Sequence, residues 1–355
     1  MSSLPSTDAS TDALAKLNPA QREAVLHFEG PILVLAGAGS GKTRVLTTRI
    51  ARLIEHHGVD PSHILAVTFT NKAAGEMKER IARLVGETPA GMWVGTFHAI
   101  GARMLRREAH LVGRTSSFTI YDEDDSLAAV RRIMERLKIS PKQWTAKALR
   151  GAISGAKNAL VTPEEYAKLA MDPLSKAASL VYDQLDRTLR ESNAVDFDDL
   201  LVLPVRVLQQ NPDRVAAYRE RFRFLLVDEY QDTNRAQYEF VKLLAGSDGN
   251  VLVVGDDDQS IYGWRGADIR NILDFERDFP SAAVVRLEDN YRSTPQVLDL
   301  ANAVISANTS RRSAPRSRRR RIRPRRARRA LRPASPHRRT GASHAASSRG
   351  APYSH

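Results

Sequence analysis

Short, continuously apolar runs recur along the chain and alternate with longer stretches of 3.6-residue apolar spacing. Runs of this kind are typical of parallel strands that helices cover on both faces. Strands are predicted at Ile32–Leu35, Ile64–Val67, Phe224–Val227, Val251–Val254 and Ala283–Val285. Helices are predicted after most of them, at Thr43–His56, Ala73–Val85 and Arg235–Leu244. This βαβ alternation predicts an α/β fold with a doubly wound parallel sheet.

No strand is predicted between residues 113 and 192. Helical spacing there occupies Asp122–Leu137, Thr145–Ala159 and Ser175–Glu191. We therefore expect a helical subdomain at 113–192, inserted into an α/β domain formed by 15–112 and 193–285. The acidic cluster at 122–125 could suggest a metal site, but a helix start with favourably placed carboxylates is the preferred interpretation.

The two ends of the chain have a different composition from the middle. Residues 1–14 are rich in Ser, Thr and Asp and are predicted to be a disordered leader. Periodicity ends after Asn308, and residues 310–355 contain 16 Arg, no Lys and no acidic residue. Because almost nothing in 310–355 can be buried, this tail is predicted to be disordered.

Charge and composition narrow the functional classes. The 355 residues carry 54 Lys and Arg against 41 Asp and Glu, a net charge of +13, yet the first 309 hold 38 basic and 41 acidic side chains. The net charge alone is therefore no indication of nucleic-acid binding. The absence of cysteine excludes disulfide scaffolds, zinc fingers, iron–sulfur clusters and thiol nucleophiles. No apolar run is long enough for a membrane span and no signal pattern is present, so a cytoplasmic protein without a membrane partner is expected.

A glycine-rich segment follows the first predicted strand and opens a helix, which is the context of a phosphate-binding P-loop. It comprises Ala36, Gly37, Ala38, Gly39, Ser40, Gly41, Lys42 and Thr43. Its glycines allow successive N–H groups to face a polyphosphate, Lys42 adds a positive charge, and the Thr43 hydroxyl can bind Mg²⁺. A strict P-loop has glycine where this chain has Ala36. The alternative is a plain strand-to-helix turn.

Two further strand ends carry polar residues. Asp228 and Glu229 end one strand, where Asp228 can hold Mg²⁺ and Glu229 can act as general base. Alone, such a pair is often only a cap. The strand ending near Gly255 leads to Gln259, which is suited to sensing a γ-phosphate. Tyr262, Trp264 and Arg265 follow in a Gly-rich loop; aromatic rings beside a guanidinium suit unpaired bases, although a structural corner is the alternative.

Seven segments in order resemble the superfamily 1 DNA helicases of the UvrD/PcrA/Rep type. They are Leu17–Gln21, Ala36–Thr43, Thr68–Ala74, Gly95–His98, Val227–Thr233, Gly255–Gly266 and Leu287–Thr294. The resemblance covers about residues 17–308. It implies a RecA-like P-loop domain that uses ATP and Mg²⁺, and the same family also carries alanine at the position of Ala36.

The resemblance also implies roles for individual residues. Gln21 reads the adenine edge, while Tyr291 stacks on the ring and Arg44 lies near its other side. Lys42, Thr43, Asp228 and Glu229 take the roles argued above, and Gln259 and Arg292 contact the γ-phosphate. Phe69, His98, Tyr262 and Trp264 line the path of a single DNA strand, with Arg265 beside them. Partners are single-stranded DNA and junctions of single and double strands.

The family's translocating members have a second RecA-like domain, of which residues 286–309 are expected to be the start. Two interpretations of the tail remain open: a cationic arm that binds phosphate backbones, or an out-of-frame translation of a GC-rich gene that truncates the helicase. The predicted function is ATP-dependent 3′–5′ translocation on single-stranded DNA with duplex unwinding in repair, incomplete in this chain. The alternatives are a non-catalytic nucleotide- or single-strand-binding fragment, and the N-terminal half of a RecB- or AddA-type helicase–nuclease.

Overall fold

A computed structural model describes residues 13–263 and 266–305, together with the backbone of 318–319. The predicted leader lies almost wholly outside these residues, as do Trp264, Arg265 and all but two residues of the predicted tail. Among the described residues, no helix is long and apolar enough to cross a membrane.

Six parallel strands form the central sheet in the order β3–β2–β6–β7–β1–β8. They are β1 (Ile32–Ala36), β2 (Ile64–Thr68), β3 (Trp93–Thr96), β6 (Phe224–Val227), β7 (Asn250–Gly255) and β8 (Ala283–Leu287). The predicted α/β class with a parallel P-loop-type sheet is confirmed. Because all six strands run the same way, their carboxyl ends meet at one edge, where α/β proteins bind ligands.

Helices cover both faces of this sheet. They are α1 (Pro19–Leu26), α2 (Lys42–Glu55), α3 (Asn71–Val85), α4 (Phe97–Glu108), α9 (Asp199–Gln210), α10 (Pro212–Arg221) and α11 (Arg235–Ala245). Alternate strand residues enter opposite cores: Leu33 and Leu35 pack on one face, and Ile32 and Val34 on the other. Two-sided burial explains why the strands are continuously apolar in sequence.

Four helices between residues 121 and 193 share a core of their own. They are α5 (Glu123–Arg136), α6 (Ala146–Asn158), α7 (Pro163–Leu169) and α8 (Pro173–Glu191). A two-stranded parallel pair, β4 (Thr119–Ile120) with β5 (Ala194–Val195), joins the points where the chain leaves and returns. The acidic cluster begins α5 with a capping box, in which the Asp122 carboxylate accepts the Asp125 N–H at 2.8 Å.

A close backbone approach joins α4 and α9. A Cβ added to Gly101 would lie 1.9 Å from the carbonyl oxygen of Leu200. The backbones of the two helices are therefore in direct contact at Gly101. This approach places the first turn of α4 and the turn before α9 next to each other. Those turns carry His98 and Phe197, respectively.

Beyond β7 the elements are short. Helices α12 (Arg270–Leu273) and α13 (Phe275–Asp278) precede β8, and β9 (Asp289–Asn290) and α14 (Pro295–Ile305) follow it. Strand β10 (Arg318–Arg319) pairs in parallel with β9, although the tail was predicted to lack structure at those two positions. The prediction for the rest of the tail lies outside the described residues.

Candidate functional site

The loop between β1 and α2 has the backbone geometry that its sequence predicts. Gly39 and Gly41 adopt left-handed conformations with φ of +71° and +94°. Gly41 is the N-cap of α2, and the helix begins at Lys42. A Cβ at Gly41 would approach the Gln21 amide nitrogen to 2.7 Å, so a side chain there would displace Gln21 and strain the positive-φ backbone. A curled loop that leads into a helix N-terminus fits a polyphosphate.

Lys42 and Glu229 meet at the ends of β1 and β6. Lys42 Nζ lies 2.8 Å from Glu229 Oε2, an ion pair without an aligned hydrogen bond. Glu229 has φ of +51°, in the left-handed region that residues with a side chain seldom adopt. The two residues are 187 positions apart in sequence, and the parallel sheet brings them together.

Asp228 lies beneath this pair and is 4% exposed. Burial, reinforced by the charge of Glu229 and opposed by Lys42, raises the pKa of Asp228 to about 7. A buried carboxylate beside a phosphate loop carries an electrostatic cost that a divalent cation removes. Asp228 and the Thr43 hydroxyl, at the start of α2, therefore fit the hard oxygen ligands of Mg²⁺.

Gln231 was not predicted as a site residue, yet it connects three parts of the site. Its amide nitrogen donates to Glu229 Oε2 at 3.0 Å and to Asp232 Oδ2 at 3.3 Å. Its amide oxygen accepts the backbone N–H of Asp256 at 3.0 Å. Gln231 itself is 1% exposed, and its bond to the Asp256 N–H is buried. Its place in the Val227–Thr233 segment, two positions after Glu229, was the sequence signal for it.

Gln259, the predicted γ-phosphate sensor, follows β7. Its side-chain amide donates to the carboxylate of Asp256, and its backbone N–H donates to the Asp256 carbonyl at 3.0 Å. Burial raises the pKa of Asp256, partly offset by the Gln259 bond and by Lys42. Gln259 is therefore connected to Glu229 through Asp256 and Gln231.

The segment after β8 covers the glycine loop. The Tyr291 N–H donates to the Gly39 carbonyl at 2.9 Å, and the Asn290 side chain donates to the Ala38 carbonyl. A Cβ at Gly39 would lie 2.7 Å from Arg292 Cβ, which places Arg292 directly over the loop. The structure thus brings the predicted residues of this segment to the phosphate loop.

Gln21 and Tyr291 lie on the same side of the loop. The Gln21 amide nitrogen donates to the Ser40 carbonyl at 2.7 Å, and its oxygen accepts the Asn18 N–H at 3.2 Å. The Asn18 side chain in turn donates to the Tyr291 hydroxyl at 2.9 Å. Tyr291 is 48% exposed, which leaves a ring face accessible. Arg44, in the first turn of α2, is exposed next to Gly41.

A groove of about 1350 Å³ runs between the carboxyl ends of β2 and β3 and helix α6, and Asp232 forms part of its wall. Three of the predicted DNA-contacting residues, Phe69, His98 and Tyr262, line it. Phe69 packs edge-on against Phe97, with ring centroids 5.5 Å apart. The other two predicted residues, Trp264 and Arg265, lie outside the described residues.

The groove also contains Phe197, which the sequence analysis missed. Its ring stacks on His98 at 4.0 Å and 24°, and the side chain is 52% exposed. Burial lowers the pKa of His98 to about 4, so the imidazole is neutral at pH 7 and acts as a flat stacking surface. Two stacked rings on a groove wall suit the face of a nucleic-acid base.

These features define a class of protein: a P-loop domain in which Gln231 connects the phosphate site to an aromatic groove. Residues 17–280 match the model of the UvrD/REP helicase N-terminal domain. The chain therefore belongs to the UvrD/REP helicase family, as the sequence resemblance predicted.

Individual relatives agree with this assignment. The chain is 50% identical over 296 residues to the ATP-dependent DNA helicase PcrA of Leuconostoc citreum, covering 83% of this chain and 40% of that protein. Identity to the helicase of the same name from Staphylococcus epidermidis is 49% over 302 residues, or 85% and 41% of the two chains. For the Staphylococcus aureus helicase it is 48% over 299 residues, 84% and 41%. The chain thus spans about two fifths of these relatives' length.

Proposed function

We propose that this chain is the N-terminal ATPase portion of a DNA helicase, in which ATP hydrolysis responds to single-stranded DNA. One observation carries the proposal: the Gln231 amide bonds at once to Glu229, beside the phosphate loop, and to Asp232, in the wall of the aromatic groove. A strand bound in the groove therefore lies one residue away from the proposed catalytic acid. Relatives named ATP-dependent DNA helicase support the same function.

The phosphate loop, Lys42 and the N-terminus of α2 are proposed to hold the polyphosphate of ATP. Mg²⁺, when bound to Asp228 and Thr43, neutralises charge on the phosphate oxygens. Gln21 and Tyr291 hold the base from one side, with Arg44 near the other. Their placement beside the loop, rather than any single contact, supports these roles.

Glu229 is the proposed general base. Its carboxylate is paired with Lys42 at 2.8 Å, and an incoming γ-phosphate competes for the same lysine. Release from Lys42 leaves Glu229 able to accept a proton from an attacking water, as a general base requires. Arg292 and Gln259 are proposed to stabilise the charge that develops on the γ-phosphate.

The groove is the proposed path of single-stranded DNA. Phe69, Tyr262 and the stacked pair of His98 and Phe197 offer ring faces to successive bases, and the predicted contacts of Trp264 and Arg265 extend this set. Stacking tolerates any base, so binding without sequence preference is expected. The 3′–5′ direction, unwinding at junctions and a role in repair are proposed from the family, and they depend on the remainder of a full-length helicase.

Release of phosphate from ATP, measured with and without oligothymidylate, tests the proposal. We expect DNA to raise the rate, and Glu229→Gln to abolish the increase while ATP still binds. Glu191→Gln, at the exposed end of α8, serves as a control for a Glu/Gln exchange outside both the nucleotide site and the groove. ATP binding without turnover, in the presence and absence of DNA, would instead identify a non-catalytic binding module.

A further inference from the structure

The turn before α9 carries three acidic residues around one aromatic residue. Asp196, Asp198 and Asp199 enclose Phe197 in the sequence. Asp196 and Asp199 are buried and Asp198 is half-buried, whereas Phe197 is exposed to the groove. A turn that hides its charged residues and exposes its phenyl ring reverses the usual preference.

Two consecutive residues at the end of α6 hold all three carboxylates. Lys157 Nζ lies 2.7 Å from Asp196 Oδ2 and 2.7 Å from Asp199 Oδ1. The Asn158 side chain donates to Asp198 Oδ1 at 2.9 Å. Lys157 is 2% exposed, and although burial lowers its pKa, the two carboxylates raise it further, so the ammonium stays charged.

Two of the same carboxylates also fix the backbone of the turn. The Asp199 N–H donates to Asp196 Oδ1 at 2.9 Å, and the Asp196 N–H donates to Asp199 Oδ2 at 3.2 Å. Each of these two carboxylates thus uses one oxygen for Lys157 and the other for the turn. The phenyl side chain of Phe197 has no polar group to bond, so the orientation of its ring is set by the backbone that the flanking aspartates hold.

Asn158 also contacts the ATP-site side of the groove. Its side-chain oxygen accepts from the Asn234 amide at 2.6 Å, and Asn234 caps α11 just after the loop of Glu229 and Gln231. Through Asn158, helix α6 therefore contacts both the Phe197 turn and the loop that ends at Asn234.

We propose that Lys157 and Asn158, on α6 of the helical insertion, are positioning residues that present Phe197 to single-stranded DNA. Without them the three carboxylates repel one another, the turn opens, and the Phe197 ring leaves His98. This inference rests on the proposed function, because it assigns the groove to single-stranded DNA.

A double-mutant cycle tests the proposal through fluorescence anisotropy of labelled oligothymidylate. We expect Phe197→Ala and Lys157→Met each to weaken binding about tenfold, because stacking contributes about 1–3 kcal/mol per base. Lys157→Met combined with Phe197→Ala should bind no more weakly than Phe197→Ala alone. Equal losses from Lys157→Met in both backgrounds would show a merely structural lysine and overturn the proposal. Lys147→Met, an exposed lysine at the other end of α6, is the matched control.

Lys157→Met leaves two buried carboxylates unpaired and can prevent folding. Asn158→Ala removes only an uncharged amide, and we expect a threefold to fivefold loss of DNA affinity that again disappears in the Phe197→Ala background. A loss that persists there would contradict the proposal. Nucleotide affinity measured in parallel identifies any variant that has not folded.

Hydrogen exchange of the 194–203 amides separates this inference from the proposed function. Without DNA, Asn158→Ala should speed exchange at Asp196 and Asp199 and leave the sheet strands unchanged. If the unmodified chain binds no oligothymidylate but exchange rises as expected, the DNA function fails and the positioning role of Asn158 survives. Unchanged exchange together with unchanged DNA affinity overturns the positioning role itself.

Discussion

Replacing Asp228 by asparagine should stabilise the chain while removing its proposed Mg²⁺ site. The folded chain holds the Asp228 carboxylate at a pKa of about 7, against an ordinary value of 3.8. At about 1.4 kcal/mol for each tenfold change in proton affinity, this difference corresponds to about 4 kcal/mol. Because the pKa is raised, the protonated group's contribution is complete below about pH 4, is lost as the pH rises to about 7, and changes little above that.

Urea unfolding of the two proteins across this range tests the calculation. Without Mg²⁺, the free energy of unfolding of Asp228→Asn should exceed that of the original chain by a difference that grows by roughly 2 kcal/mol between pH 5.5 and 8. Asparagine can still accept the Glu229 N–H, which Asp228 Oδ1 now accepts at 3.1 Å. Asp248→Asn, at an exposed carboxylate, is the control and should show no such growth.

Addition of Mg²⁺ supplies the second half of this test. Above pH 7 the ion should raise the unfolding free energy of the original chain and leave that of Asp228→Asn unchanged, since only the former keeps the carboxylate ligand. A stability difference that stays constant with pH would refute the assigned burial cost. Equal stabilisation of both proteins by Mg²⁺ would refute the assigned ligand.

Three further outcomes are expected. Glu229→Gln should reduce phosphate release at least a hundredfold with ATP affinity within a few-fold of the original, and retained turnover would exclude Glu229 as the base. Tyr291→Ala should weaken ATP binding about tenfold while Tyr291→Phe keeps most of it, measured by equilibrium titration; equal losses would mean that the hydroxyl, and not the ring, matters. Gly101→Ala should destabilise the fold by about 3 kcal/mol in urea unfolding, because its Cβ would lie 1.9 Å from the Leu200 carbonyl; an unchanged midpoint would contradict that packing.

The phosphate loop could be predicted from sequence because its requirements are local. Gly39, Gly41 and Lys42 lie within four positions, and each is needed for backbone or charge reasons that any P-loop shares. The strands were likewise visible, since two-sided burial makes them apolar throughout. Strand β3 was missed because Trp93–Thr96 is short and contains Gly95.

Residues that act through distant partners could not be predicted in this way. Phe197 looks like an ordinary aromatic between acids until the fold places it on His98, 99 positions away. Lys157 reaches carboxylates 39 and 42 positions further along the chain. An exposed lysine and a buried lysine bonded to two carboxylates are identical in sequence, so only tertiary packing tells them apart.

The groove itself is electrically balanced, which bears on how it would hold DNA. Four arginines and five aspartates line it, and Arg270 and Arg277 are paired with the neighbouring carboxylates of Asp268 and Asp274. With few free cations, binding in the groove depends on stacking and releases few counterions, so affinity there should fall only weakly with salt. The 16 arginines of 310–355 have no acidic residue among them, so binding through that segment should depend strongly on salt. Shortening the chain to residue 309 should therefore flatten the dependence of oligothymidylate affinity on salt, and an equally steep dependence in both forms would place the phosphate contacts in the ATPase portion.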